Sequence, residues 1–320
     1  MNATIVMPDG DPTCDALFAS APRAEALAGL GGLRLYTDAP LASAETYLER
    51  CRSARALIVG WPLPDEVLAL PGIEAVTFMG AGVANFVSLD QAREHGVAVY
   101  NTPGYGDIAV AEHTVALMLA ALRDIPAANA AMHRGTWPQS APSQEIHGAT
   151  VGVVGLGGIG ARVARMLDAW GARVIAWTRN PDRARDLPSS IDLVELPELF
   201  AHSDIVSLHV ALCPATEGLV SAELIRAMPT GALLVNTARA ELVDEVTLQE
   251  SLRAGRIRAA LDVFRPEPLP TDHPYRELPG VVLSPHIAFN TPQALERMAD
   301  LTIANLKGHF EAGTGPHRVA

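Results

Sequence analysis

Residues 150–167, TVGVVGLGGIGARVARML, constrain the fold of this chain more than any other stretch. A short apolar run leads straight into Gly155, Gly157 and Gly160 in G-x-G-x-x-G spacing, and an amphipathic helical pattern begins at once. Strand, glycine turn and helix in immediate succession open a doubly wound parallel sheet. Gly155 allows the tight turn, Gly157 lets the backbone approach a pyrophosphate, and Gly160 lets the helix pack close to the strand. Gly158 and Ile159 complete the turn, where the helix N-terminus offers N–H groups to phosphate. A dinucleotide site is therefore expected here.

The rest of the chain fits such a frame. Short runs rich in Val, Ile and Leu alternate with helix-like stretches, the pattern of parallel sheets covered on both faces. Strands are expected near 4–7, 33–36, 56–59, 75–79 and 97–100, then in a second series at TVGVVG, ARVIAW, DIVSLH, ALLVNT, IRAALDVF and VVLSPH. The fold class is α/β, with two Rossmann-like, doubly wound parallel-sheet domains. A long helix over about 107–123, with Asp107 as its N-cap, links the two series. Val110, Val115, Leu117, Met118, Leu119 and Leu122 leave little of its surface polar, so more than one neighbour must bury it, and a subunit interface is one way. Residues 127–148 read as a loop with one short helix. A last helix over about 292–310 is expected to return to the first series. That makes the substrate domain discontinuous, at 1–101 and 288–320, around a cofactor domain at 102–287.

Charge and cysteine usage narrow the partners. Asp and Glu number 36 against 24 Lys and Arg, a formal charge of -12. Such a surface does not neutralise phosphates, so neither nucleic acid nor an anionic membrane is expected as a partner. Cys14, Cys51 and Cys213 are an odd, widely spaced set that supports no disulfide framework and no metal site. The start, MNATIVMPDG, has neither the basic nor the apolar region of an export signal, and no apolar run reaches the length of a membrane span. The expected compartment is the cytoplasm.

Cofactor choice is written at the end of the second strand of the later series. An acidic residue about 20 positions after the glycine turn usually takes the ribose 2′-hydroxyl. Here the sequence reads AWTRNPDR, with no carboxylate at Thr178 or Arg179. Arg179 instead offers a guanidinium fork to a 2′-phosphate, with Thr178, Asn180 and Arg183 nearby. NADPH is therefore expected in preference to NADH. The plainer alternative is a surface arginine beside a site that tolerates both.

Three polar residues stand just beyond strand-like runs: Arg239 after LLVNTA, Glu267 after ALDVFRP and His286 in VVLSPH. Singly, each reads as a surface cation, a loop charge and a satisfied histidine. Their order along the chain, with FMGAGVANF, GVAVYNTPGYGDIAVAEHTVALMLA, TVGVVGLGGIG, LLVNTARAELVDE, ALDVFRPEP and LSPHIAFNT, resembles the D-isomer-specific 2-hydroxyacid dehydrogenase family over nearly the whole length. The GWPLP turn and the arginine of WTR resemble bacterial glyoxylate/hydroxypyruvate reductases in particular.

The resemblance implies specific roles. Arg239 matches the arginine that binds the substrate carboxylate near the reacting carbonyl. His286 matches the acid/base residue that donates a proton to the carbonyl oxygen during reduction. Glu267 matches its carboxylate partner, which fixes the tautomer and is expected to raise the histidine pKa. Ala81 and Gly82 match the turn whose backbone N–H groups hold the substrate carboxylate. Asp262 and the Thr237 and Ala238 backbones match positions near the nicotinamide amide, while His209 and Cys213 fall on the adenosine side. Cys213 also reads as a small wall residue with no redox role. Trp61 either lines the substrate pocket or packs as a core aromatic.

The family's reductases act on glyoxylate, hydroxypyruvate, phenylpyruvate, phosphoglycerate and other acids. The expected activity is NADPH-dependent reduction of glyoxylate and hydroxypyruvate by a homodimer formed through the long helix at 107–123. Rivals are reductases of phenylpyruvate or 2-ketogluconate, a phosphoglycerate dehydrogenase, and a binding protein resembling the NAD(H)-sensing corepressors of the same fold. Ala84 and Ala211 depart from residues common in the family but carry no chemistry in this scheme. Glu267 argues against formate dehydrogenases, which use glutamine there. The end of the chain at Ala320 counts against phosphoglycerate dehydrogenases with an added regulatory domain.

Overall fold

A computed structural model describes residues 5–39, 43–138, 143–184 and 187–320. Unit 1 comprises Met1–Gly106 and Thr291–Ala320. Its strands are β1 (Ile5–Met7), β2 (Leu33–Leu35), β3 (Ala56–Val59), β4 (Ala75–Phe78) and β5 (Ala98–Tyr100), all parallel in the order β2-β1-β3-β4-β5. β1, β3, β4 and β5 are buried along their whole length, which explains why they read as unbroken apolar runs. The order reverses between β1 and β3, the place where open α/β sheets leave a crevice. The terminal helix Pro292–Ala312 is capped by the Thr291 side chain, which accepts from Ala294 N–H. Ala299, Ile303 and Leu306 of that helix pack with Ile5, Ile58, Ala75 and Tyr100. Beyond it, Val319 N–H donates to Val99 and Val99 N–H donates to Ala320, so the last residues cover the β5 edge.

Unit 2 is Asp107–Asn290. β6 (Thr150–Val154), β7 (Arg173–Trp177), β8 (Asp192–Leu193), β9 (Ile205–Leu208), β10 (Leu233–Asn236), β11 (Arg258–Leu261) and β12 (Val281–Leu283) form a parallel sheet ordered β12-β11-β10-β9-β6-β7-β8. This is the Rossmann order extended by one strand. β8 was not expected, since two exposed edge residues carry no periodicity.

The units divide at 106/107 and 290/291, whereas the sequence reading set 101/102 and 287/288. Local bonds account for the difference. Thr102 N–H donates to Gly80 and the Tyr105 carbonyl accepts from Arg297, which ties 102–106 to unit 1. Ala288 N–H donates to Asp262 and Asn290 N–H to Ile287, which keeps 288–290 in unit 2.

The linking helix spans Asp107–Leu122, so Asp107 stands in its first turn and not in front of it. Val115, Met118 and Leu122 pack against Val151, Val153, Val163, Leu167 and Val235 of the same unit. Its apolar faces are thus largely covered within unit 2, and they give no separate argument for a subunit interface. A second helix, Ile125–His133, occupies the beginning of the expected loop. Among the described residues no helix is long and apolar enough to cross a membrane, and no cluster of His, Cys, Asp and Glu is placed to hold a metal ion.

Candidate active site

Parallel pairing sets the strand ends of unit 2 in line. Trp177, Val154, Leu208, Asn236, Leu261 and Leu283 are successive register partners across the sheet. The residues that follow them, Thr178, Gly155, His209, Thr237, Asp262 and Ser284, therefore stand along one C-terminal edge, where such sheets bind ligands.

The glycine turn has the shape a pyrophosphate needs. Gly155 has φ +99°, and a Cβ there would lie 2.8 Å from the His209 carbonyl oxygen. A Cβ on Gly160 would collide with the Gly155 carbonyl oxygen, so close helix–strand packing also demands glycine there. Gly157 is different: nothing lies within 4 Å of where its Cβ would be. That open space borders the N-terminus of the helix Gly158–Ala169, which has no side-chain cap. A helix N-terminus without a side-chain cap, open at Gly157 and bordered at Gly158 by the Asp107 carboxylate, is the arrangement in which backbone N–H groups can meet a phosphate. Ile159 packs against the core behind the turn. His209 lies beneath it, its Nε2 2.8 Å from Ser207 Oγ, and burial pushes the imidazole down to about 3. A neutral, packed histidine is the result.

At the end of β7 the structure gathers the residues expected around the ribose. Arg179 is exposed, and its guanidinium donates to Cys213 Sγ at 3.7 Å. Asn180 N–H donates to Thr178 Oγ1 at 3.3 Å, folding the turn that presents Arg179. The Cys213 thiol is held below its usual range, chiefly by the Thr216 hydroxyl and the Ala215 backbone, with Arg179 contributing. The Cys213 sulfur thus accepts from both Arg179 and the Thr216 hydroxyl. The Arg183 side chain lies outside the described residues.

Arg239, Glu267 and His286 follow the adjacent strands β10, β11 and β12. The Asn236 amide donates to the Arg239 carbonyl at 2.8 Å and accepts from Ala238 N–H at 3.0 Å, which fixes the turn carrying Arg239 and the buried Thr237. Glu267 Oε1 accepts from Phe264 N–H at 2.9 Å, and Oε2 lies 2.7 Å from His286 Nδ1. Burial would raise the Glu267 carboxyl, but the His286 bond, the Phe264 N–H and the charges of His286 and Arg239 outweigh it and hold it below the usual range. His286 has φ +54°, a conformation that costs a non-glycine residue and persists only where its surroundings impose it.

Asp262, expected near the nicotinamide amide, also braces the chain around it. Its carboxylate is fully buried and accepts from Ser284 Oγ at 2.5 Å, Ile287 N–H at 3.1 Å and Ala288 N–H at 3.0 Å. Burial alone would raise its carboxyl, yet the nearby His113 ring and the bonds from Ser284, Ala288 and Ile287 leave it below the usual range. Its oxygens face the chain that follows His286, so it acts on that loop from below.

In unit 1, Ala81 is exposed, Gly82 half-buried, and among the described residues their N–H groups have no acceptor. Such paired free donors suit a carboxylate. Trp61 is 46% exposed, which rules out the core alternative. It stands after β3, beside the Ala81 turn that follows β4. Asp9, 1% exposed, accepts from Trp61 N–H at 2.9 Å, Gly60 N–H at 3.2 Å and Tyr47 Oη at 3.3 Å. It ties the chain after β1 to the chain after β3, the two strands between which the order reverses.

Burial pushes the Asp9 carboxyl from 3.8 up to about 6 against these bonds. A folded-state value raised above the unfolded one means its contribution to stability is fully present below pH 3.8 and lost as pH rises through about 6. The stability of wild type relative to Asp9→Asn should fall by about 3 kcal/mol between pH 3.5 and 7.5. Urea unfolding across that range checks it, and a pH-independent difference would contradict it.

Residues 115–288 match the family model described as D-isomer specific 2-hydroxyacid dehydrogenase, NAD binding domain. The chain belongs to this family. It is 35% identical over 285 residues to a glyoxylate reductase of Korarchaeum cryptofilum, covering 86% of this chain and 85% of that protein. It is 43% identical over 235 residues to the D-3-phosphoglycerate dehydrogenase of Mycobacterium tuberculosis, covering 72% of this chain but only 44% of that relative. Among solved structures it resembles an NADPH-dependent glyoxylate/hydroxypyruvate reductase from Sinorhizobium meliloti in complex with NADP and malonate, with TM-score 0.81, 29% identity and coverage of 99% and 96%.

For a member of this family, the edge of unit 2 brings together most of the residues the sequence marked. Asp9, His113 and Ser284 were not marked. AEHT lies within one of the quoted motifs, but nothing near His113 in sequence shows where its ring goes.

Proposed function

We propose that this family member is an NADPH-preferring reductase of small 2-ketoacids, with glyoxylate and hydroxypyruvate foremost, and that chiral products are D-2-hydroxyacids. The observation that carries the reading is the His286–Glu267 pair, set beside Arg239 on the same strand-end line as an open glycine turn. A bound nicotinamide dinucleotide supplies the hydride. Arg239 orients the substrate carboxylate. Glu267 takes the His286 Nδ1 proton as a hydrogen bond, which leaves Nε2 to deliver a proton to the ketone oxygen. Chiral chromatography of the product from hydroxypyruvate tests this reading: D-glycerate supports it, and L-glycerate or no product opposes it.

Arg179, with no carboxylate at the end of β7, supports NADPH over NADH. Arg179→Asp should lower the NADPH-to-NADH ratio of kcat/KM by about 10- to 100-fold, through a lost fork and an added like charge. An unchanged ratio would remove this account of cofactor choice.

The mycobacterial relative favours a second reading, oxidation of D-3-phosphoglycerate, which an assay with that substrate and NAD or NADP distinguishes. A homodimer is the assembly we favour. Ile125, Met132 and Trp137 are 56%, 50% and 78% exposed at the start, near the end and just beyond the helix Ile125–His133. The three free thiols agree with a reducing compartment such as the cytoplasm.

A further inference from the structure

The helix Asp107–Leu122 sends two consecutive side chains to the strand ends that carry the proposed chemistry. His113 Nε2 lies 3.1 Å from Ser284 Oγ, just after β12, and 3.5 Å from Asp262 Oδ1, just after β11. Thr114 Oγ1 donates to the Val110 carbonyl at 2.7 Å and lies 2.8 Å from Thr237 Oγ1, just after β10. Each of these strands leads directly into Arg239, Glu267 or His286.

The hydrogens can be assigned in only one sense along the His113 branch. Ionised Asp262 accepts only, so the Ser284 hydroxyl donates to it. The Ser284 oxygen then accepts, and His113 must carry its proton on Nε2. Asp262 uses what remains of its capacity on the N–H groups of Ile287 and Ala288, the two residues after His286. His286 N–H in turn donates to the Ser284 carbonyl at 3.1 Å. A closed set of bonds thus surrounds a residue held at φ +54°.

We propose that His113 is a positioning residue for the reaction: through Ser284 and Asp262 it holds the Ile287–Ala288 backbone and so keeps His286 in its left-handed conformation. The His113 bond goes to Ser284, which itself donates to the buried carboxylate of Asp262, a setting where a lost hydrogen bond has its largest effect. Thr114 does the corresponding work for the turn before Arg239. The inference rests on the reading of His286 as the proton donor, so its test includes a measurement that does not depend on turnover.

The experiment compares wild type with His113→Ala, His113→Gln and Ser284→Ala. Amide hydrogen exchange over residues 284–289, on protein without cofactor, should accelerate about 10-fold in the two alanine variants. With hydroxypyruvate, kcat should fall by about 5- to 10-fold while the NADPH Kd changes less than about 2-fold. Glutamine can donate from its amide to Ser284 and should restore much of both. Exchange unaltered in both His113→Ala and Ser284→Ala would overturn the proposal, as would a glutamine variant no better than alanine. Altered exchange in a protein that reduces no 2-ketoacid would leave the brace standing and count against the proposed function alone.

Discussion

Replacing His286 by alanine is expected to lower kcat for hydroxypyruvate reduction by about 10²- to 10⁴-fold, with NADPH affinity almost unchanged. The alkoxide that forms as carbon 2 accepts hydride needs a proton at the moment of reaction, and water from bulk delivers it far less effectively than a fixed acid. His286 qualifies because Nδ1 is committed to Glu267 at 2.7 Å, which orients the ring and leaves the other nitrogen for substrate. His286 has intermediate exposure, so the alanine variant leaves no deep cavity and should fold. A smaller loss, of about 10-fold, is expected for Glu267→Gln, which keeps the shape of the pair and removes its charge. Near-normal turnover in His286→Ala would mean that another group delivers the proton.

The second large effect belongs to Arg239. Arg239→Gln should lower kcat/KM for hydroxypyruvate by about 10²- to 10³-fold, since two charge-assisted hydrogen bonds to a carboxylate are lost together. Arg239→Lys should recover only part, because an ammonium is a point charge without the planar fork. The turn that carries Arg239 is fixed chiefly by Asn236, although Arg239 also donates to the Ala238 carbonyl at 2.6 Å, so a cofactor titration serves as the check on the backbone. Fluorescence titration with NADPH separates the cases: unchanged cofactor affinity with a collapsed kcat/KM places the loss on substrate, and parallel losses of both would contradict this role.

The parts of the site that were legible in the sequence are those whose physical reasons lie close together along the chain. The Gly155–Gly160 turn is one, because strand, turn and helix are contiguous and each glycine answers a local demand. Arg239, Glu267 and His286 became readable as a set through the order of their motifs. Asp9 and His113 were hidden for the opposite reason. Asp9 meets Gly60 51 residues away, and His113 meets Ser284 across 171 residues, so no local pattern could announce either contact. The helix Asp107–Leu122 shows a subtler limit. Its composition demanded burial on several sides, but only the packing against Val151, Val163 and Val235 shows that its own unit supplies much of the cover. Asp262 could be placed at the strand-end edge from sequence, but its bonds to Ser284, Ile287 and Ala288 could not, because sequence does not show which way a carboxylate turns.

The measurement that bears most directly on the central claim is a matched set of initial rates for the purified wild-type protein. Glyoxylate, hydroxypyruvate, pyruvate and phenylpyruvate would each be offered with NADPH and with NADH. The account predicts fastest turnover of glyoxylate and hydroxypyruvate, with NADPH preferred for both. Turnover confined to phenylpyruvate or to NADH would contradict it, as would NADPH binding with no reduction of any of the four acids.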